Sequence, residues 1–197
     1  FDAIVIGAGP GGMESARILA RNNKKVAIVE ARDLGGTCLN RGCIPAKTML
    51  YSAEMYRHAK HLDDYGIKIF ENKLEYDFDR MVEKRSEIMS KLRKGADYLL
   101  RNDGVEIISG KAEFIDDNTI EVAGNQYTAD NFVLASGGSA RRFPGFLDKD
   151  PRFLISDNIF ELKAIPASML IVGGGPVGVE FATYFETFGT KVTLIDM

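Results

Sequence analysis

The sequence is poor in cysteine, with only Cys38 and Cys43 among its 197 residues. Two cysteines do not make the disulfide framework of a small secreted scaffold, so the pair has to be judged by its surroundings. Histidine is equally scarce: His58 and His61 are the only two. No run approaches the roughly 20 apolar residues that a membrane-spanning helix needs. Nor does one charge dominate. The 25 Lys and Arg against 28 Asp and Glu leave a net charge of −3, which offers no broad electrostatic case for nucleic acid or an anionic membrane as partner. No targeting segment is visible, because a strand-like run begins at Phe1 itself; a start on phenylalanine rather than methionine leads one to expect residues before it. The hydrophobic content of 45% and charged content of 27% are ordinary for a soluble globular chain. The length suits one domain with a sizeable core, or one domain and part of another.

What the sequence does have is a repeat, offset by 166 residues. Ile4-Val5-Ile6-Gly7-Ala8-Gly9-Pro10-Gly11-Gly12-Met13-Glu14 returns as Leu170-Ile171-Val172-Gly173-Gly174-Gly175-Pro176-Val177-Gly178-Val179-Glu180. Each copy leads into a helical pattern and then an apolar strand ending in an acid, Glu30 in one and Asp196 in the other. In such a unit a buried strand turns at the first glycine, Gly7 or Gly173. The second glycine, Gly9 or Gly175, admits a pyrophosphate, and the third, Gly12 or Gly178, lets helix and strand pack closely. The phosphates meet the positive helix N-terminus, and the acid accepts hydrogen bonds from a ribose. One glycine motif is a weak signal; two, each between strand and helix with an acid at the same distance, are a strong one. They point to two dinucleotides exchanging electrons.

Between the copies stands Leu34-Gly35-Gly36-Thr37-Cys38-Leu39-Asn40-Arg41-Gly42-Cys43-Ile44-Pro45-Ala46-Lys47. Pro45 suits the first turn of a helix running to about His61, with Met49, Leu50, Ala53, Tyr56 and Ala59 as its apolar positions. A thiol at the start of that helix meets the positive end of its dipole. In a regular α-helix a separation of five residues is roughly 7.5 Å of rise, whereas a disulfide needs Cα atoms about 4.4–6.8 Å apart. A bond between the two sulfurs therefore requires an irregular turn between residues 38 and 43. Unrelated buried thiols, half of a zinc site and a redox pair are the readings open to these residues. Zinc is disfavoured by the lack of further ligands, since it usually takes four. The residues between the cysteines favour the redox pair.

That segment resembles the redox-active signature of the pyridine nucleotide–disulfide oxidoreductases, and Ile44-Pro45 after the second cysteine makes it most similar to the dihydrolipoamide dehydrogenases. With both glycine motifs in order, the resemblance spans essentially the whole chain. It implies an α/β architecture: a Rossmann-like FAD-binding domain with a small β-meander over 1–140, a linker over 141–167, and the first β-α-β unit of a second Rossmann-like NAD-binding domain over 168–197. The FAD residues it implies are Gly7, Gly9, Pro10, Gly12, Glu30, Ala31, Arg32, Gly36, Thr37, Cys38, Cys43, Lys47, Ala112, Ala135, Ser136 and Gly137. For NAD they are Gly173, Gly175, Pro176, Val177, Gly178, Glu180 and Asp196. It further implies a Cys38–Cys43 disulfide, with Cys38 as the interchange thiol and Cys43 nearest the flavin. Lys47 approaches the flavin and pairs with Glu180. The carboxylate of Asp196 favours NAD over NADP, because it welcomes a ribose diol and repels a 2′-phosphate.

Ala135-Ser136-Gly137-Gly138, with Phe143-Pro144-Gly145, resembles the family's A-T-G-S…P-G segment; Ser136 keeps a hydroxyl and Gly138 loses one. A helix is expected from an Asp77 cap to Asn102, with Phe78, Met81, Val82, Ile88, Met89, Leu92, Ala96, Leu99 and Leu100 on one face. Short strands follow at 105–109, 111–115, 119–122 and 126–128 as a meander ending in the strand 131–135. His58 and His61 are expected on the surface. The resemblance implies a dithiol substrate, free or on the lipoyl domain of a 2-oxoacid dehydrogenase complex, and a homodimer for the complete protein. Its setting would be cytoplasmic, or the mitochondrial matrix in a eukaryote. The family's acid–base histidine–glutamate pair belongs to a later domain on the partner subunit. This chain alone is therefore expected to have no turnover, and to leave the strand 192–195 without its next neighbour. A glutathione-type or mercuric reductase and a non-catalytic nucleotide-binding fragment are the alternatives.

Overall fold

The computed structural model describes residues 1–68, 74–142, 145 and 150–196. They fall into two compact units, one of Phe1–Cys43 with Met89–Phe146 and one of Ile44–Ile88 with Leu147–Met197.

The first unit is built on a parallel sheet. Strands β1 (Ala3–Ile6), β2 (Val26–Glu30), β3 (Glu106–Ser109) and β7 (Phe132–Leu134) lie in the order β3-β2-β1-β7. Helix α1 (Pro10–Arg21) connects β1 to β2. The central strands read as continuous apolar runs because both of their faces are covered. Ile4, Ala27 and Val29 pack with Ile108, Ile120 and Val122. Val5, Val26 and Ile28 pack on the other side with Ala16, Leu100 and Val105. Each fully buried Val, Leu or Ile among them stabilises by about 1.5–3 kcal/mol.

Two expectations need correction here. The stretch 105–109 is not part of the meander: β3 pairs in parallel with β2, from Ala27↔Glu106 to Glu30↔Ser109. Val105 and Ile108 enter opposite cores, as a strand buried on both faces must. The antiparallel meander has three strands, β4 (Ala112–Asp116), β5 (Thr119–Val122) and β6 (Asn125–Thr128). The second correction concerns α4 (Phe78–Asn102). Its cap is as expected, with the Arg80 N–H donating to Asp77 Oδ1 at 2.9 Å, but its apolar residues are not one buried face. Met81 packs in the core of the second unit and Leu100 in that of the first, while Leu92 and Leu99 stay exposed.

Just beyond α4, Asp103 accepts from Arg17 Nε at 2.7 Å and lies 3.1 Å from Arg21 NH2, its side chain nearly buried. The Arg17 hydrogen bond is the main reason its carboxyl is held below the usual range. A lowered native value means that this contribution to stability is present near neutral pH. It is lost as the pH falls below about 4 and on through the native value. Asp103→Asn is therefore expected to lower the thermal midpoint by a few degrees at pH 7, with the gap to the parent closing in acid. A gap that stays constant with pH would assign the loss to packing instead.

The second unit holds β8 (Ser168–Val172), α5 (Pro176–Thr187) and β9 (Lys191–Ile195), with β8 and β9 parallel. Phe181, Tyr184, Phe185 and Phe188 form its core with Met49 and Ala53 of α3 (Cys43–Lys60) and with Ile159. Ile159 lies in the stretch expected as a linker and opens a short 3-10 turn there. Arg85 is anchored in this unit by an NH2 donation to Phe160 O at 2.8 Å. Met169, Ile171 and Val192 pack inward, whereas Leu170, Val172, Leu194 and Ile195 are exposed. The β8–β9 pair is thus covered on one face.

Candidate functional site

The repeat in sequence is a repeat in geometry. Gly7 has φ +103° and Gly173 φ +113°, a left-handed conformation that glycine adopts without steric cost. The N–H of Gly7 donates to Val29 O at 2.8 Å, and that of Gly173 to Ile195 O at 2.8 Å. Gly9 and Gly175 are both extended, and both helices begin at the following proline, α1 at Pro10 and α5 at Pro176. A Cβ at Gly12 would run into the Gly7 carbonyl oxygen, and one at Gly178 into that of Gly173. The third glycine is therefore the condition for helix and turn to close on each other.

Neither helix start has a side-chain cap, so its first N–H groups are available to an anion. A Cβ at Gly9, Gly11 or Gly175 would meet nothing within 4 Å, so the space in front of each turn is open. Uncapped donors facing open space fit the pyrophosphate of a dinucleotide at both turns. Pro10, Pro176 and Val177 lie exposed at these openings.

Around the first turn the structure brings together most of the residues expected to hold FAD. Glu30 Oε2 accepts the Ala8 N–H and Oε1 accepts the Arg32 N–H, each at 2.8 Å. Ala31 and Arg32 are exposed beside it. The Gly110 N–H donates to Glu30 O at 2.9 Å, which places the start of β4 at Ala112 near this strand end. Ala135 adjoins Gly7, since a Cβ on Gly7 would strike the Ala135 carbonyl, and Ser136 and Gly137 follow exposed. Phe143 and Pro144 of the same expected segment lie outside the described residues.

The cysteine segment lies across this turn. The Gly35 N–H donates to Ala8 O at 2.8 Å, and a Cβ on Gly36 would stand 2.7 Å from Gly9 Cα. Thr37 and Cys38 sit on a short helix α2 (Gly36–Arg41), and Cys43 is the first residue of α3. Gly42 between them has φ −143° and ψ −111°, so no continuous helix passes through 38–43. The irregular turn required for a disulfide is present. A Cβ at Gly42 would approach Thr37 O to 3.1 Å and Cys38 Cα to 3.5 Å, which shows how closely the joint folds back on the turn before it. Cys38 is half-buried and Cys43 exposed.

Asn40 had no role assigned from the sequence and has one in the fold. Only 6% exposed, it donates through Nδ2 to Leu34 O at 3.0 Å and to Gly36 O at 2.9 Å. It thereby closes the loop that lies on the nucleotide turn, and its Oδ1 is buried without a partner. An amide placed four residues after a Gly-Gly pair was the available signal. Asp33 is a second such residue: Arg41 lies 3.4 Å and Arg93 3.5 Å from its carboxylate.

Other expected residues are not brought together. Lys47 is exposed on α3 and Glu180 half-buried on α5, and among the described residues no ion pair joins them. In the second turn Asp196 stands beside Gly174. His58 and His61 are exposed as expected, with His61 Nδ1 3.4 Å from Asp64 Oδ2. No group of His, Cys, Asp and Glu suited to a metal occurs among the described residues.

Known proteins resemble the chain along its whole length. It matches the family described as pyridine nucleotide-disulphide oxidoreductase over residues 1–197. It is 40% identical over 201 residues to a dihydrolipoyl dehydrogenase of Chlamydia muridarum, which covers 100% of this chain and 43% of the relative. With the dihydrolipoyl dehydrogenase of Geobacillus stearothermophilus the identity is 39% over 199 residues, 99% of this chain and 42% of the relative. Among solved structures it is similar to the HOCl-induced flavoprotein disulfide reductase RclA from Escherichia coli. The TM-score is 0.84 and the identity 30%, covering 98% of this chain and 41% of that one. The chain thus spans less than half the length of these relatives.

Proposed function

Because the chain belongs to the pyridine nucleotide-disulphide oxidoreductase family, we propose that it is the FAD- and thiol-bearing portion of a dihydrolipoamide dehydrogenase. The observation that carries the reading is the joint at Gly42. It puts Cys38 and Cys43 on two separate helices, in a segment laid across the first glycine turn. Identities of 39–40% to two dihydrolipoyl dehydrogenases support this member over the RclA type, which is 30% identical.

The residues for FAD are Gly7, Gly9, Pro10, Gly12, Glu30, Ala31, Arg32, Gly36, Thr37, Ala112, Ala135, Ser136 and Gly137, with Cys38, Cys43 and Lys47 at its reactive side. When bound, FAD supplies a two-electron acceptor beside the thiols. The chain's own chemistry is thiol exchange. In the oxidised pair a substrate thiolate attacks Cys38 Sγ, the Cys38–Cys43 bond breaks, and Cys43 leaves as thiolate. The second substrate thiolate then attacks the sulfur bonded to Cys38, forming the substrate disulfide and releasing the Cys38 thiolate. Two electrons pass from dithiol to cysteine pair, and the two substrate protons go to solvent or a base. Lys47 and Glu180, which no ion pair joins among the described residues, would bring opposite charges to the flavin edge. Gly173, Gly175, Pro176, Val177, Gly178 and Asp196 receive NAD. The substrate is dihydrolipoamide, free or on the lipoyl domain of a 2-oxoacid dehydrogenase complex, and the complete protein is a homodimer. No helix among the described residues is long and apolar enough to cross a membrane; a cytoplasmic setting, or the mitochondrial matrix, accords with thiol chemistry of this kind.

The test is a visible absorption spectrum during anaerobic titration with dithiothreitol. A flavin band that gains a long-wavelength shoulder on partial reduction, and fails to do so in Cys43→Ser, is the expected result. A flavin band without a shoulder would remove Cys43 from the flavin. A colourless protein would remove FAD from this portion altogether.

A further inference from the structure

Among the differences between the two glycine turns, one within the turn is matched by one at the strand end. Position 8 is alanine and its acid at 30 is glutamate; position 174 is glycine and its acid at 196 is aspartate. In the first turn the longer acid accepts the Ala8 N–H at 2.8 Å, its other oxygen accepting the Arg32 N–H at 2.8 Å. In the second turn the shorter acid lies against the residue itself. A Cβ built on Gly174 would stand 3.3 Å from Asp196 Cβ, Cγ and Oδ2 alike, inside the ordinary carbon contact of about 3.5–4.0 Å.

We propose that Gly174 is a specificity-determining residue for the nicotinamide dinucleotide: its missing side chain is the seat of the Asp196 carboxylate. The inference rests on the reading that the second turn receives NAD with Asp196 on the adenosine ribose. Seated there, the carboxylate turns its oxygens to a vicinal diol and sets its charge against a 2′-phosphate. A methyl group at 174 forces the carboxylate away by a few tenths of an ångström or into another rotamer. An acid one methylene longer can accept the N–H at this position with alanine in place, as Glu30 accepts that of Ala8. Gly174 does not have the positive φ of Gly173, so alanine is compatible with its backbone and acts only through the space it occupies.

The test is titration of this chain with NADH and NADPH for the parent, D196A, G174A and G174A/D196E, with crystal structures of the last two. D196A is expected to weaken NADH by about tenfold or more, as loss of a charge-assisted contact does. G174A should weaken NADH by about tenfold with NADPH unchanged, and adding D196E should restore NADH to within about threefold. If D196A leaves NADH unaffected, or the parent does not bind NADH, the reading of the second turn falls. If D196A weakens NADH but G174A does not, or G174A weakens both dinucleotides alike, the role of Gly174 falls and that reading stands. The crystal structures decide the seat whatever the chain binds. A displaced Asp196 carboxylate in G174A, and in the double variant a longer acid accepting the N–H at position 174, are expected. An Asp196 carboxylate that stays in place in G174A overturns the proposal.

Discussion

Glu30→Ala is expected to weaken FAD binding by about a hundredfold. The carboxylate accepts the Ala8 and Arg32 N–H groups, each at 2.8 Å, and in the proposed reading it keeps lone pairs for the ribose hydroxyls of FAD. Hydrogen bonds to a charged acceptor contribute about 1.5–3 kcal/mol each. Truncation leaves a donor in the half-buried turn unpaired and removes the ribose contact, so about 2–3 kcal/mol of binding disappears, or roughly a hundredfold. Glu30→Gln retains an acceptor for one N–H and places an amide donor near the other, so it should fall between. The measurement is the FAD dissociation constant by quenching of flavin fluorescence. An alanine variant that binds FAD like the parent would mean that the latch is structural and the ribose lies elsewhere.

Gly12→Ala is expected to cost the fold heavily, whereas Gly11→Ala next to it should cost almost nothing. A Cβ on Gly12 would run into the Gly7 carbonyl oxygen and stand 3.2 Å from Ala135 Cβ. Gly7 is fixed by its donation to Val29 O and Ala135 by its donation to Ile6 O at 2.8 Å. With its neighbours fixed, α1 itself has to move off the sheet. Overpacking of this kind costs about 1–3 kcal/mol and more where backbone must shift. A Cβ on Gly11 meets nothing within 4 Å, so alanine there should stay within about 0.5 kcal/mol of the parent. Urea midpoints of the two variants check the contrast. Equal losses would mean that glycine serves helix α1 through flexibility rather than through space.

The features legible in the sequence are those set by local chemistry. The glycine turns, each leading into a helix, and the Asp77 cap depend on residues within a few positions of one another. So does the irregularity between Cys38 and Cys43, since residue spacing along a helix is arithmetic. What escaped depends on partners far along the chain. Whether 106–109 joins the meander or the parallel sheet is decided by β2, about 80 residues earlier. The stripe on α4 reads as one face because periodicity does not say which core each turn meets. The Ala8–Glu30 latch crosses 22 positions. Asn40 was visible only as part of a motif, because its two carbonyl partners belong to the shape of the loop.

The strand order has a consequence for the time at which the protein is made. β1 pairs with β2 after a short crossover, but its other edge waits for β7, where Ile4 meets Phe132. At a synthesis rate of about 5–20 residues per second, that edge stays open for on the order of ten seconds after β1 emerges from the ribosome. During that interval Gly7 lacks the Ala135 wall beside it, and the turn for the first dinucleotide is half built. β8 and β9 need only one crossover helix between them. The later-encoded β-α-β unit should therefore close almost as it is translated, whereas the free edge of the first strand has to wait through more than a hundred residues of synthesis for β7. A chaperone that shields unpaired strand edges would be expected to hold nascent chains stalled before residue 132 and to release those stalled well after it.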